Sequence, residues 1–216
     1  MRILPILAAL LSINCAQAEN CATTYEGLLA EQRRILSDSV ESPIKSQEQL
    51  SQLARKIETS LNGCKTSAQL NSLMAETQVS LGRNEEGLEY ARAAYAADAE
   101  SWEANHALGF ILSLGGECDA GIPYLEKAAE SSPRKNEIML NVCSTYESCG
   151  IYKEAISSCT AVLKSGDAAL QGPAFYIRAR AYKAIGKSKE AEEGFYQARE
   201  AGFEGAQYYT EEHYGR

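Results

Sequence analysis

The residues in this chain best equipped for chemistry are its seven cysteines, its two histidines and three adjacent glutamate pairs. Cys21, Cys64, Cys118, Cys143, Cys149 and Cys159 form an even set once Cys15, inside an apolar N-terminal run, is put aside. None has the Cys-x-x-Cys spacing of a redox-active or zinc-binding pair, since the shortest gap, Cys143 to Cys149, is six residues. Their expected chemistry is oxidation to structural cross-links in an oxidising compartment. His106 and His213 lie far apart, with no ligand-like spacing to cysteine, so neither a metal nor a cofactor is expected. His106 could serve as a base, but spacing places neither a nucleophile nor an orienting carboxylate beside it. The pairs Glu85-Glu86, Glu192-Glu193 and Glu211-Glu212 stand in helical stretches, where neighbours point about 100° apart. Solvated charge suits them better than acid-base work. Gly-x-Ser-x-Gly, P-loop and His-Glu-x-x-His motifs are absent, so no enzyme is expected.

Composition narrows the remaining classes. The chain has 216 residues, 45% hydrophobic and 23% charged, an ordinary globular balance. With 29 acids against 21 bases the net charge is −8, which repels nucleic acid at long range. Met1-Arg2, the apolar run from Ile3 to Ile13 and the small residues of Ala16-Gln17-Ala18 read as an export leader, residues 1–18, cut after Ala18. A short first core helix fits Pro5 and the polar Glu19-Asn20 badly. Acylation at Cys15 is the competing reading, although Asn14 stands where a small residue is wanted. No other run has the length of a membrane helix, so no integral membrane domain is expected, and the mature chain is placed in the periplasm or outside the cell.

The elements that would position these residues are helices. Tyr25, Leu28, Leu29, Gln32 and Leu36 follow a 3.6-residue period, as do Leu50, Leu53, Ile57 and Leu61, with a break at Ser42-Pro43. Residues 19–67 therefore predict an N-terminal helical hairpin. Beyond it the chain repeats. Gly82, Gly116, Gly150 and Gly186 recur at intervals of 34, 34 and 36. Small residues keep the same register as Ala75, Gly109, Cys143 and Ala179, as Gly87, Gly121, Ala155 and Ala191, and as Ala94, Ala128, Val162 and Ala198. Apolar columns run between them, one through Met74, Leu108 and Val142 to Arg178, another from Gln78 through Leu112 and Tyr146 to Tyr182. Each unit predicts two helices packed closely through small side chains.

A 34-residue period with these small-residue, glycine and alanine positions resembles the tetratricopeptide repeat. Leu108-Gly109, Leu112, Gly116, Gly121, Leu125, Ala128 and Pro133 carry the pattern in the second unit, and Phe175, Ala179, Tyr182, Gly186, Ala191, Phe195 and Ala198 in the fourth. The pattern's tryptophan column holds Asn71, Asn105, Met139 and Phe175, and only one unit ends in proline. The expected fold is all-α, a helix-turn-helix repeat solenoid of about four such units over residues 68–203 (68–101, 102–135, 136–169 and 172–203). The N-terminal hairpin caps one end and a tail, 204–216, the other, with Tyr208, Tyr209 and Tyr214 on the tail's apolar side.

Within that arrangement the cysteines can be paired. Cys21 opens the first helix of the N-terminal hairpin and Cys64 follows the second, so an antiparallel pair sets them side by side. Cys143 and Cys159 stand on facing helices of the third unit, where buried free thiols are the alternative. Cys118 and Cys149 belong to neighbouring helices of successive units and make the third expected bond.

The resemblance also implies a right-handed superhelix whose first helices line a concave groove for a peptide or a partner's helix. Its candidate contacts are His106, Phe110 and Leu114, then Asn141, Ser144 and Glu147, then Tyr176, Ile177, Arg180 and Lys183, a mixture of aromatic, amide and basic groups suited to recognition. The plainer reading makes Phe110 and Ile177 core and the polar residues a solvated face. Some members of the family clamp a C-terminal carboxylate. Asn141 fits that pattern, but His106 and Phe110 replace polar partners, and Pro173 and Ile177 replace two basic ones, so no clamp is expected. Trp102 reads as packing at a helix start. The expected function is an exported adaptor that binds a protein or peptide partner in assembling or regulating a cell-envelope complex. The alternatives are an immunity-type inhibitor of an exported toxin or hydrolase, and a glycan or peptidoglycan binder that stacks sugars on Phe110 and Tyr176.

Overall fold

The computed structural model describes residues 4–38 and 43–206, with side chains from Glu19 onward. Among the described residues there are ten long helices: α1 (Leu4–Ser37), α2 (Pro43–Gly63), α3 (Ala68–Ser80), α4 (Asn84–Ala97), α5 (Trp102–Leu114), α6 (Cys118–Ser131), α7 (Lys135–Ser148), α8 (Tyr152–Lys164), α9 (Ala168–Ala184) and α10 (Ser188–Glu200). None of them is long and apolar enough to cross a membrane. The expected leader cut after Ala18 falls inside α1, whose backbone is helical from Leu4 because the leader's alanines and leucines are strong helix formers. The chain forms two compact units, one ending at Ile111 and the other beginning at Leu112, so their boundary lies within α5.

The same turn recurs through both units. Gly82, Gly116, Gly150, Gly186 and Gly202 all have φ between 75° and 87°, a region open to glycine and costly for side chains with a Cβ. The N–H that follows each glycine reaches back to a helix carbonyl: Arg83 to Gln78 at 2.9 Å, Glu117 to Leu112 at 2.9 Å, Ile151 to Tyr146 at 2.8 Å, Lys187 to Tyr182 at 2.9 Å and Phe203 to Ala198 at 3.0 Å. This pairing satisfies carbonyls that a helix end otherwise leaves open and turns the chain back on itself.

In the first unit, α1 and α2 form the hairpin closed by Cys21–Cys64, with Cα atoms 6.0 Å apart. Tyr25, Leu28 and Ile35 pack with Leu50, Leu53 and Ile57 and with Leu70, Leu73 and Met74 of α3. Ile35, not Leu36, completes the stripe of α1: Ile35 is 1% exposed and Leu36 40%. The buried face centres on Leu28 and Gln32, and Leu36 lies at its rim. Gln32 is itself buried because its amide donates to Thr77 Oγ1 at 3.0 Å. Between α3 and α4, Gly87 is held by contact. A Cβ there would lie 2.9 Å from Val79 Cγ2 and 3.0 Å from the Ala75 carbonyl oxygen.

The asparagines in the tryptophan column have a shared role. Asn71 Nδ2 donates to the carbonyls of Lys65 and Ser67 at 3.3 and 2.9 Å, and Asn105 Nδ2 donates to those of Ala99 and Ser101 at 2.8 and 2.7 Å. Each amide ties the loop before its helix to the first turn, while Ser67 and Ser101 accept from the N–H groups of Leu70 and Ala104. Gln78, the polar member of another apolar column, accepts from Arg83 at 3.3 Å.

The second unit repeats the hairpin scheme. Cys118–Cys149 ties α6 to the end of α7, and Cys143–Cys159 ties α7 to α8, with Cα separations of 6.1 and 5.3 Å. With Cys21–Cys64 these are the three pairs expected from helix order. Each bond adds about 2–4 kcal/mol, chiefly by restricting the unfolded chain. α9 begins at Ala168, four residues ahead of the frame at 172, because Asp167 caps it by accepting from the Ala169 N–H at 3.1 Å. Gly194 of α10 sits against Ala179, where a Cβ would approach the alanine's Cβ to 2.9 Å. Phe195 is fully buried beside Ala179 and Ala191. The chain past α10 folds back on α9, placing Phe203 Cβ 3.0 Å from where a Cβ on Gly172 would stand, and residues 204–206 make a helical turn. The rest of the expected capping tail, with Tyr208, Tyr209 and Tyr214, lies outside the described residues.

Two substitutions separate turn from contact. Gly150→Ala has room for its methyl and is expected to destabilise by about 1–2 kcal/mol from backbone conformation alone, with Gly150→Asn milder. Gly87→Ala forces α3 and α4 apart and is expected to cost about 1–3 kcal/mol. Urea unfolding of the oxidised protein measures both. An intact mass six hydrogens below the reduced value is the expected signature of the three bonds.

Candidate functional site

The candidate residues fall in both units. In the first, His106 and Phe110 project from α5 one turn apart, and their rings stack at 6.1 Å between centroids and 11° between planes. His106 Nδ1 lies 3.0 Å from Glu76 Oε1 on α3. With the imidazole neutral and Nδ1 carrying the proton, the histidine donates to the carboxylate. When charged, it makes an ion pair. Both rings are half-buried, so this is a supported polar-aromatic patch rather than a loose surface histidine.

In the second unit, the first helices of successive hairpins, α7 and α9, pack side by side. Asn141 and Ser144 are three residues apart on α7, and Tyr176, Arg180 and Lys183 are spaced four and three apart on α9, each set keeping to one face. Ser144, Arg180 and Lys183 are exposed and Asn141 is half-buried. Arg180 Nη2 meets Glu147 Oε1 of α7 at 3.1 Å, so its charge is already engaged within the protein. Burial raises the Glu147 carboxyl above its ordinary pKa, and the facing Arg180 works against that rise. Tyr176 is drawn inward. Its ring packs edge-on to Phe195 at 5.6 Å and against Phe203 at 5.0 Å, which makes it partly a core residue of the last hairpin.

Glu76, the partner of His106, was not evident from the sequence, whereas Glu147, already a candidate contact, proves to be the partner of Arg180; the separations are 30 and 33 residues, close to one repeat. The available signal is an opposite charge about one period away, because stacking brings such positions together. Arg178, in an apolar column, holds its guanidinium 5.3 Å from the Phe175 ring centre and donates to Thr160 Oγ1 at 3.4 Å. Burial lowers its pKa, with Tyr182 opposing the shift. Tyr146 donates to the Glu126 carboxylate, and burial foremost, then that bond, pushes its hydroxyl pKa up to about 12.

No family profile and no curated protein sequence matches the chain. Solved structures do. PilW, described as a widely conserved type IV pilus biogenesis factor, aligns with a TM-score of 0.65 and 19% identity over 81% of this chain and 77% of its own. YrrB, described as a TPR protein with an unusual peptide-binding site, gives 0.57 and 18% over 77% and 91%. MamA gives 0.60 and 19% over 76% and 94%. The chain has the all-helical tetratricopeptide-repeat fold.

The Glu147 and Arg180 pair makes a signed prediction. A carboxyl whose folded pKa is raised favours the folded state while protonated, and that contribution is lost as pH rises through the folded pKa. Arg180 limits the loss. Arg180→Ala is therefore expected to destabilise more at about pH 7 than at about pH 4, and adding Glu147→Gln should remove most of the difference. Urea midpoints at both pH values check this.

Proposed function

We propose that this tetratricopeptide-repeat chain is an exported, non-catalytic scaffold that binds a protein or peptide partner through the faces of its first helices. In the second unit the working surface is the joined face of α7 and α9, with Asn141, Ser144, Arg180 and Lys183 offering polar contacts and Tyr176 an aromatic base. In the first unit His106 and Phe110 offer a second patch. One observation carries the reading: the Arg180–Glu147 pair links α7 to α9, which supports treating the polar residues of the two repeats as one surface. Interfaces favour this mixture of aromatic, arginine and amide groups. The three cysteine pairs at bonding distance support an oxidising compartment, in line with the leader read at residues 1–18. Assembly or regulation of a cell-envelope complex is the role proposed for such a scaffold.

A photo-crosslinking residue at Ser144 is expected to trap a discrete protein from intact cells, and the same residue at Ser157, exposed on the second helix α8, is not. Arg180→Glu should diminish the Ser144 adduct. Adducts from Ser157 alone would move the binding surface to the second helices and overturn the reading.

A further inference from the structure

The first unit contains an open cleft of about 840 Å³ where the loops before α3 and α5 come together beside the Cys21–Cys64 bond. Its volume is that of a ligand site. It shares no residue with the candidate faces of the first helices. Trp102 lines it, and it is the chain's single tryptophan. Two carboxylates line it as well, Asp98 and Glu103, and no basic residue does.

Glu103 is the unusual member. It is only 8% exposed. Gln69 Nε2 donates to its Oε1 at 2.9 Å and Ser101 Oγ donates to its Oε2 at 2.7 Å, both neutral donors. Among the described residues no cation lies within ion-pair distance of Glu103 or of Asp98. The repeat provides an internal comparison. Position 69 holds an amide, position 103 a carboxylate and position 137 a carboxylate again. Glu137 is more exposed and is paired with Arg134, whereas the residue one period before Arg134 is Glu100, an acid. The second repeat thus buries its carboxylate and has an acid where the third has its compensating base. A buried charge held only by neutral hydrogen bonds is costly, and a cation arriving in the cleft offsets that cost.

We propose that this cleft binds a basic side chain, lysine or arginine, presented by a protein partner, with Glu103 and Asp98 as the counter-charge and Trp102 as the aromatic face beside the cation. Arrangements of this kind attract ammonium and guanidinium groups through the indole quadrupole as well as through charge. Thr66 and Ser67 also line the cleft. The protein's net charge of −8 draws basic segments toward it, and the cleft supplies a defined seat.

Because Trp102 is the only tryptophan, its intrinsic fluorescence reports the cleft directly in the disulfide-bonded protein. The probes are acetyl-Gly-Arg-Gly-amide, acetyl-Gly-Lys-Gly-amide and the neutral acetyl-Gly-Gln-Gly-amide. Saturable change with the basic peptides and none with the neutral one is expected. Glu103→Gln should weaken binding about tenfold, and Asp98→Asn, on an exposed residue, should weaken it without threatening the fold. Glu85→Gln with Glu86→Gln, at the opposite end of α4, should leave it unchanged. No saturation with either basic peptide overturns the proposal, as does equal loss from the α4 control, which would mean diffuse charge attraction. Arg180→Glu should not affect this titration, so failure here and failure of the α7 and α9 surface are separate outcomes.

Discussion

A helix that stops leaves carbonyl groups without partners, and the way this chain satisfies them governs the rest of its architecture. Five times, a glycine in the left-handed region lets the next N–H reach back five residues and close the helix end. The bond leaves the following helix little choice but to run antiparallel to the one just finished. Once it does, the small residues become necessary. Gly87 against Val79 and Ala75, and Gly194 against Ala179, are contacts at which a single methyl would intrude. Turn and contact select each other, and the repeat length is set by fitting two helices and the turn between them from Gly82 to Gly116, from Gly116 to Gly150 and from Gly150 to Gly186.

Repetition then becomes a rule for side-chain meetings. Positions about one period apart on successive first helices become neighbours, as Gln69 and Glu103 do, and as Glu147 and Arg180 do. Most side-chain hydrogen bonds here are local, but those that join one repeat to the next follow this rule. The two units use the rule differently. In the second, an arginine from the next repeat tempers the carboxyl of Glu147. In the first, Glu103 receives only an amide and a hydroxyl.

Much of the fold was legible because glycine spacing and small-residue columns report turn and contact directly. The cysteine pairs were legible for the same reason: once helices alternate in direction, the ends that meet can be counted. The site was less so. Nothing local marks Ile35 over Leu36, since both are apolar and adjacent, and only the packing of α2 and α3 decides which turns inward. Asn71 and Asn105 looked like defects in a tryptophan column and prove to be loop fasteners, a role that depends on carbonyl positions four and six residues back. Spacing alone offers Arg180 and Tyr176 as candidate contacts, and only the fold sets Glu147 beside the first and Phe195 and Phe203 beside the second. Trp102 reads as packing, and its place in a cleft depends on three stretches of chain, around Cys21, Cys64 and Ser101, converging there.

The order of the cysteine bonds along the chain has a consequence for biosynthesis. Cys118 joins Cys149 and Cys143 joins Cys159, so the two covalent loops overlap without nesting. A chain emerging from its N-terminus into an oxidising compartment presents Cys143 as the first thiol available to Cys118. An oxidant that joined thiols strictly in order of arrival would produce that bond and leave Cys149 to find Cys159. Reaching the folded set from there takes thiol–disulfide exchange, or a delay in oxidation until the hairpin of α7 and α8 has brought Cys143 to Cys159. Two of the three bonds thus form correctly only if folding of α7 and α8 precedes oxidation or if exchange follows it.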